Sequence, residues 1–275
     1  MESVVIIGGN SLALELIKNY RKKKFKIYYL VRKKKKNISN QFLINFRKKN
    51  IINFLNLKKP KVIINLVSSY SNNPSISFRA NVNLPIWLLD WTTSNRKCRL
   101  VLIGSAAEYG KIKKKQVNES TELNPISVYG ISKSIQSIVA KNYYDNYKTN
   151  FLLLRLFNLK GKIFNKNLLV GKINNFFKNY KSKKTVLQLG NLSNYRDYID
   201  EKVVAKYIVK LVKKSPDGEI INIGSGKPIL VRYLVKDYFA KYKNLKYKEN
   251  INKNKTSDPK YIFANIKKLN KIIKT

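Results

Sequence analysis

The sequence predicts an α/β protein: a doubly wound parallel sheet with a smaller, interleaved C-terminal lobe. Three observations predict it. Apolar strand-like segments alternate with helical ones from the first residues, a Gly-Gly turn follows the first strand directly, and a long helix is followed at once by another apolar strand. Such alternation is what a parallel sheet wrapped by crossover helices requires.

Taken in order, residues 3–7 form a buried strand, 11–20 a helix and 25–31 a second strand. Residues 61–67 read as the next strand, 78–93 as a helix bent by Pro85, and 99–103 as a further strand. A long helix spans 126–147 and a strand 151–157. Right-handed crossovers between these strands leave the doubly wound order as the outcome. Beyond Asn158 the alternation loosens: helices are expected over 168–180, 200–214, 230–242 and 262–273, a short strand over 219–223, and a polar loop over 244–255.

Composition narrows the chemistry. The 275 residues include one cysteine, Cys98, so no intrachain disulfide is expected, and no histidine. Serine–histidine triads, cysteine–histidine pairs and histidine metal sites are therefore excluded, no metal is expected, and proton transfer falls to Tyr, Lys, Asp, Glu, Ser or water. A formal charge of +42 would suit a nucleic-acid partner, but it is carried mostly by lysines spread along the chain. Spread lysine is the pattern of a solvated face, so no specific nucleic acid is expected. No apolar run approaches the roughly 20 residues of a transmembrane helix, and Met1 leads straight into a strand, so the expected location is the cytoplasm.

The first strand ends in Gly8-Gly9-Asn10-Ser11, with Leu12 following, and feeds a helix. A turn of this kind brings backbone and a helix N-terminus to where a dinucleotide's pyrophosphate sits. The three spaced glycines usual there are reduced to the first pair. Arg32 ends the second strand where an acidic residue would read the ribose of NAD. An arginine suits the 2′-phosphate of NADP, so NADP(H) is favoured, with NAD(H) left open. On this basis residues 1–157 and about 197–224 are expected to form a dinucleotide-binding domain, and 158–196 with 225–275 a substrate-binding lobe.

Tyr129 and Lys133 lie four residues apart in the long helix, on nearly the same face. An ammonium about 4 Å from a phenol, at an effective dielectric of about 20, favours the phenolate by about 4 kcal/mol, bringing tyrosine toward proton exchange near neutral pH. The same interval recurs at Tyr20/Lys24 and Tyr144/Lys148, so position decides. Only Tyr129/Lys133 opens a long helix after a strand ending Ile103-Gly104-Ser105, where Ser105 can hydrogen-bond a substrate oxygen.

The segments Gly104-Ser105-Ala106-Ala107-Glu108-Tyr109-Gly110 and Tyr129-Gly130-Ile131-Ser132-Lys133 resemble the active site of extended short-chain dehydrogenases/reductases acting on nucleotide sugars. The likeness continues through Asn65-Leu66-Val67, Asn81-Val82, Arg155-Leu156-Phe157-Asn158, Arg196-Asp197-Tyr198 and Asn222-Ile223-Gly224-Ser225-Gly226. The resemblance implies a Rossmann fold in which Ser105 and Tyr129 handle the proton while Lys133 binds ribose and lowers the tyrosine pKa. It places Leu66, Val67, Asn81 and Phe157 at the cofactor, and Ser105, Ala106, Asn158 and Arg196 at the nucleotide-linked substrate.

Within that family, dehydratases carry an acidic residue just after the catalytic Ser or Thr, where this chain has Ala106 and Ala107. The run Leu189-Gly190-Asn191-Leu192 before Arg196, together with residues 104–110, resembles most closely the GDP-4-keto-6-deoxymannose reductases. The leading expectation is NADPH-dependent reduction of the 4-keto group of a nucleotide-linked deoxysugar. A nucleotide-sugar 4-epimerase and an inert binding protein that kept the fold are the alternatives. Ile131, Ile135, Ile138 and Val139 form an apolar stripe that serves either a homodimer or the core.

Overall fold

The computed structural model describes residues 2–34, 40–163, 165–166, 168–180, 185–240, 245–250 and 259–274. Seven strands form its main sheet: β1 (Ser3–Ile7), β2 (Lys26–Val31), β3 (Gln41–Leu43), β4 (Val62–Asn65), β5 (Arg99–Ser105), β7 (Phe151–Leu156) and β11 (Glu219–Ile223). Their order is β11-β7-β5-β4-β1-β2-β3, and every pairing is parallel. The order reverses between β1 and β4, which opens a crevice at their carboxyl ends.

All five residues of β1 are buried, as a central strand covered on both faces demands. Its side chains alternate between two cores. Val4 and Ile6 face α1 (Ser11–Lys22) and α7 (Glu201–Lys214), while Val5 and Ile7 face α2 (Lys48–Lys58), α4 (Leu84–Ser94) and α5 (Val128–Tyr147).

The helix expected over 78–93 starts earlier and is interrupted differently. It comprises α3 (Pro74–Phe78), a π-helical turn (Arg79–Asn83) and α4. Pro85 lies in the first turn of α4, where its missing N–H costs little, so the irregularity belongs to the turn that carries Asn81.

A second sheet lies in the order β12 (Pro228–Leu230), β10 (Tyr195–Asp200), β14 (Tyr261–Ala264), β6 (Gln116–Val117), with β8 (Asn158–Lys160) also paired to β10. Beside it β9 (Val186–Leu189) pairs with β13 (Lys246–Glu249), and α6 (Leu169–Asn179) and α8 (Val231–Ala240) share a separate apolar core.

Four expectations need correction. The loop over 244–255 contains β13; of the remaining positions, 244 and 251–255 lie outside the described residues. The last helix is shorter than 262–273, because 261–264 pair as β14 and only α9 (Lys267–Lys274) is helical. The division near residue 197 falls inside β10. Finally, α9 packs on α7 and β11 rather than on the smaller lobe, since Leu269 is buried in the same core as Val204 and Ile208.

On α5 the face turned inward is polar: Ser132, Lys133, Ser134, Gln136 and Ser137 are buried. Ile131 and Ile138 of the apolar stripe are instead 41% and 61% exposed. No helix among the described residues is long and apolar enough to cross a membrane.

Candidate active site

β1 hands the chain to α1 through Gly8, whose φ of +108° disfavours L side chains. A Cβ there would sit 3.0 Å from the backbone of Leu66 and Val67, so the glycine lets β1 and β4 end side by side. Asn10 then caps α1: its Oδ1 accepts from the Ala13 N–H at 3.0 Å, and its Nδ2 donates to the Leu66 carbonyl at 3.4 Å. The positive end of the helix dipole thus faces the crevice.

Two cavities lie along this edge. One, of about 530 Å³, is lined by Asn10, Leu12, Leu66, Ser105, Ala106, Tyr129, Phe157, Asn158 and Arg196, among others. The second, of about 680 Å³, is lined by Arg32, Val67, Asn45, Phe46, Arg79 and Trp87 with neighbouring residues. Ser68 and Tyr70 border both.

Of the expected site residues, Gly8, Gly9, Ser11, Asn81 and Lys133 line neither cavity. Asn81 is fully buried, and its amide is used inside the protein. Oδ1 accepts from the Ser69 N–H, while Nδ2 donates to the Ser69 carbonyl and to Ser132 Oγ, each at 2.9 Å. It ties the segment after β4 to α5.

Ser105 ends β5 and caps the short 3₁₀ turn Ala106–Glu108. Its Oγ accepts from the Ala107 N–H at 3.1 Å, and its own N–H donates to Glu108 Oε1 at 2.7 Å. The other Glu108 oxygen accepts from Ser137 Oγ at 2.5 Å and Arg155 Nε at 2.8 Å. Burial pushes the Glu108 carboxyl up, against the pull of these partners. The first acidic side chain after Ser105 is therefore turned away from the cavity and fully buried.

Tyr129 sits in the first turn of α5, which Ser127 caps by accepting from the Gly130 N–H at 3.0 Å. Burial raises the phenol's pKa; hydrogen bonding from Ser105, Tyr70 and Ser68 opposes the rise, and the Glu108 charge adds to it. Lys133, 1% exposed, donates to the Ile103 carbonyl at 2.7 Å and to Gln136 Oε1 at 3.2 Å, and burial lowers it to about 8. Lys133 and Tyr129 each have hydrogen-bonding partners of their own. Lys133 is held by a carbonyl of β5, and the hydroxyls of Ser105, Tyr70 and Ser68 act on the phenol. An ammonium with a carbonyl in reach binds it rather than remain buried unpaired.

At the opposite wall, Asn158 Nδ2 donates to the Asp197 carbonyl at 3.1 Å, and Arg196 donates to the Tyr195 carbonyl at 2.8 Å. Asp197, fully buried, accepts from the N–H groups of Ser225, Gly226 and Ala264, joining β10 to the segment after β11 and to β14. Ser68, Tyr70 and Arg79 were not legible as site residues. For Ser68 and Tyr70 the one available signal was position just beyond a strand that ends at the crevice; Arg79, in the π-helical turn, had none.

This arrangement, a glycine turn at the switch point with Ser105 and Tyr129 on one cavity, has a sequence counterpart. Residues 8–224 match the profile of the NAD dependent epimerase/dehydratase family. The chain belongs to that family.

Among curated relatives, the GDP-6-deoxy-D-talose 4-dehydrogenase of Aggregatibacter actinomycetemcomitans is 29% identical over 175 residues, covering 61% of this chain and 57% of that enzyme. The chain spans between about half and three fifths of the length of the curated relatives it matches. Solved structures of similar fold include the UDP-glucose 4-epimerase of Thermotoga maritima with UDP-glucose (TM-score 0.84, 17% identity, 98% of this chain and 91% of that one). The UDP-glucose 4-epimerase of Thermus thermophilus in complex with NAD is similar too (TM-score 0.85, 17% identity, 97% and 91%).

Proposed function

We propose that this chain is an NAD(P)-dependent oxidoreductase of nucleotide sugars that reduces a 4-keto group, with NADPH as the preferred reductant. One observation carries the proposal: Ser105 and Tyr129 share a cavity with Asn158 and Arg196, and that cavity meets a second, bordered by Arg32, at Ser68 and Tyr70.

The residues present fit a dinucleotide. Asn10 and Leu12, at the positive end of α1, would face its pyrophosphate, Arg32 a 2′-phosphate, and Leu66 and Phe157 its nicotinamide end. Bound there, the cofactor supplies a hydride. Tyr129 gives the proton to the substrate oxygen, and Ser105 holds that oxygen by a hydrogen bond. Lys133 contributes positive charge behind the site, and Arg196 pairs with a substrate phosphate. Elimination of water is disfavoured, because Ala106 and Ala107 follow Ser105 and Glu108 is bonded to Arg155.

The 4-epimerase reading is favoured by one finding, the likeness in fold to epimerases solved with NAD and with UDP-glucose. The purified protein is to be given GDP- and dTDP-linked 4-keto-6-deoxysugars with NADPH, and UDP-hexoses with NAD. Net oxidation of NADPH is the expected result. Interconversion of UDP-hexoses with no net cofactor change would establish the epimerase instead. No turnover with any of them would overturn both.

The exposed Ile131 and Ile138 on α5 suit a second copy of the chain. Sedimentation of wild type against Ile138→Lys tests that part: a dimer reduced to monomer is expected, and a wild-type monomer would remove it.

A further inference from the structure

Tyr70 is not one of the residues to which the family resemblance gives a role, yet it is packed against the centre of the site. It follows β4 by five residues, borders both cavities, and stacks on Tyr129 with ring centroids 4.4 Å apart and planes inclined by 26°. Offset stacking of this kind favours the pair beyond the area it buries, so each ring restrains the other. Lys133, the group expected to act on the phenol, is engaged with Ile103 and Gln136.

We propose that Tyr70 is a positioning residue for Tyr129: its ring holds the phenol toward Ser105, and its hydroxyl donates to the phenolate that forms when Tyr129 gives up its proton. This rests on the assignment of Tyr129 as the proton carrier. The balance is simple, since the proton leaves Tyr129 for the substrate oxygen, the phenolate accepts the Tyr70 O–H as a hydrogen bond, and no bond of Tyr70 is broken.

The electrostatics agree with that direction. Hydrogen bonding from Tyr70 pulls the Tyr129 phenol down against the rise that burial causes, and the charge of a Tyr129 phenolate is the largest influence pushing Tyr70 up. The other groups acting on Tyr129 are the hydroxyls of Ser105 and Ser68, which pull the same way, and the Glu108 carboxylate, which opposes them. The nearest cation on α5, Lys133, is directed to β5.

The test needs no substrate. Tyrosines are replaced biosynthetically by 3-fluorotyrosine, whose more acidic phenol titrates while the protein is folded, and the Tyr129 fluorine signal is assigned by its loss in Tyr129→Phe. In Tyr70→Phe, which keeps the stacked ring and removes only the hydroxyl, the Tyr129 titration should move upward by at least half a pH unit. With a turnover assay in hand, the alkaline limb of kcat should move the same way. An unchanged titration in a folded Tyr70→Phe protein would overturn the inference, because a residue that merely packs is replaced by phenylalanine without electrostatic effect. Should that variant not fold, Tyr70→Leu is read by the same criterion. A shifted titration without turnover of any nucleotide sugar would retain the Tyr70–Tyr129 coupling and remove the proposed reaction. Turnover with an unshifted titration would do the reverse.

Discussion

Arg155 on β7 donates from Nε to a Glu108 carboxylate oxygen at 2.8 Å, and both side chains are almost wholly removed from water, 4% and 0% exposed. Arg155 also donates to the Tyr109 hydroxyl at 3.3 Å and the Glu119 carbonyl at 3.1 Å, while Glu108 holds the backbone of Ser105. The end of β5, the start of the cavity wall and β7 are thereby joined through one buried ion pair. Removing one partner should be severe. Arg155→Leu leaves a buried carboxylate unpaired, and a loss of about 3–5 kcal/mol is expected in urea unfolding. Glu108→Gln keeps an acceptor for the Ser105 N–H and should cost less; equal losses would mean that the charge is immaterial.

Lys133 yields a stability prediction with a definite sign. Its folded pKa is about 8, against an ordinary 10.5. Below about pH 8 both folded and unfolded chains hold the proton, so the burial penalty on the ammonium is fully present. Between about 8 and 10.5 the unfolded chain holds a proton that the folded chain has lost, so raising pH through that window favours folding. A shift of this size corresponds to at most about 3 kcal/mol. Lys133→Met should therefore abolish activity yet be about 1–3 kcal/mol more stable than wild type at pH 7, and the gap should close toward pH 10. A gap independent of pH in chemical denaturation would contradict this account.

Gly8→Ala places a methyl group 3.0 Å from two backbone atoms at a φ that an L residue rarely adopts. A loss of about 1–3 kcal/mol is expected. Because the strain falls where β1 meets β4, dinucleotide affinity measured by calorimetry should drop with it.

Arg32 is exposed at the rim of the second cavity. Arg32→Ser should weaken NADPH binding by about tenfold or more, in line with loss of one charge-assisted phosphate contact, and leave NADH within about threefold. Equal losses for the two dinucleotides in a fluorescence titration would remove the assignment.

Tyr29 carries a fully buried hydroxyl with no hydrogen-bond partner among the described residues, and burial pushes its pKa up to about 12. Tyr29→Phe removes an unsatisfied polar group without changing the packing. It should stabilise the protein by about 1 kcal/mol, seen as a higher urea midpoint at unchanged slope.

Most of the main sheet was legible in the chain itself. The apolar runs at Ser3–Ile7 and Glu219–Ile223 coincide with β1 and β11, and the helix expected over 126–147 lies within two residues of α5. These elements are dictated by local periodicity, which any window of the sequence contains. The short strands β8, β9, β10, β12, β13 and β14 were not legible. These strands exist because distant segments supply their hydrogen bonds, as Arg196 pairs with Ile262.

The same division runs through the site. Local sequence alone determined that Ser105 stands at a strand end, that Tyr129 and Lys133 share one side of a helix, and that Gly8 opens the crevice. Only the tertiary structure decided that Lys133 turns to Ile103, that Glu108 retreats to Arg155, and that Tyr70 lies on Tyr129. Spacing along a chain specifies the face on which a side chain emerges. Its partner is chosen by whichever donor, acceptor or ring the fold brings within a few ångströms, here from residues 30, 47 and 59 positions away.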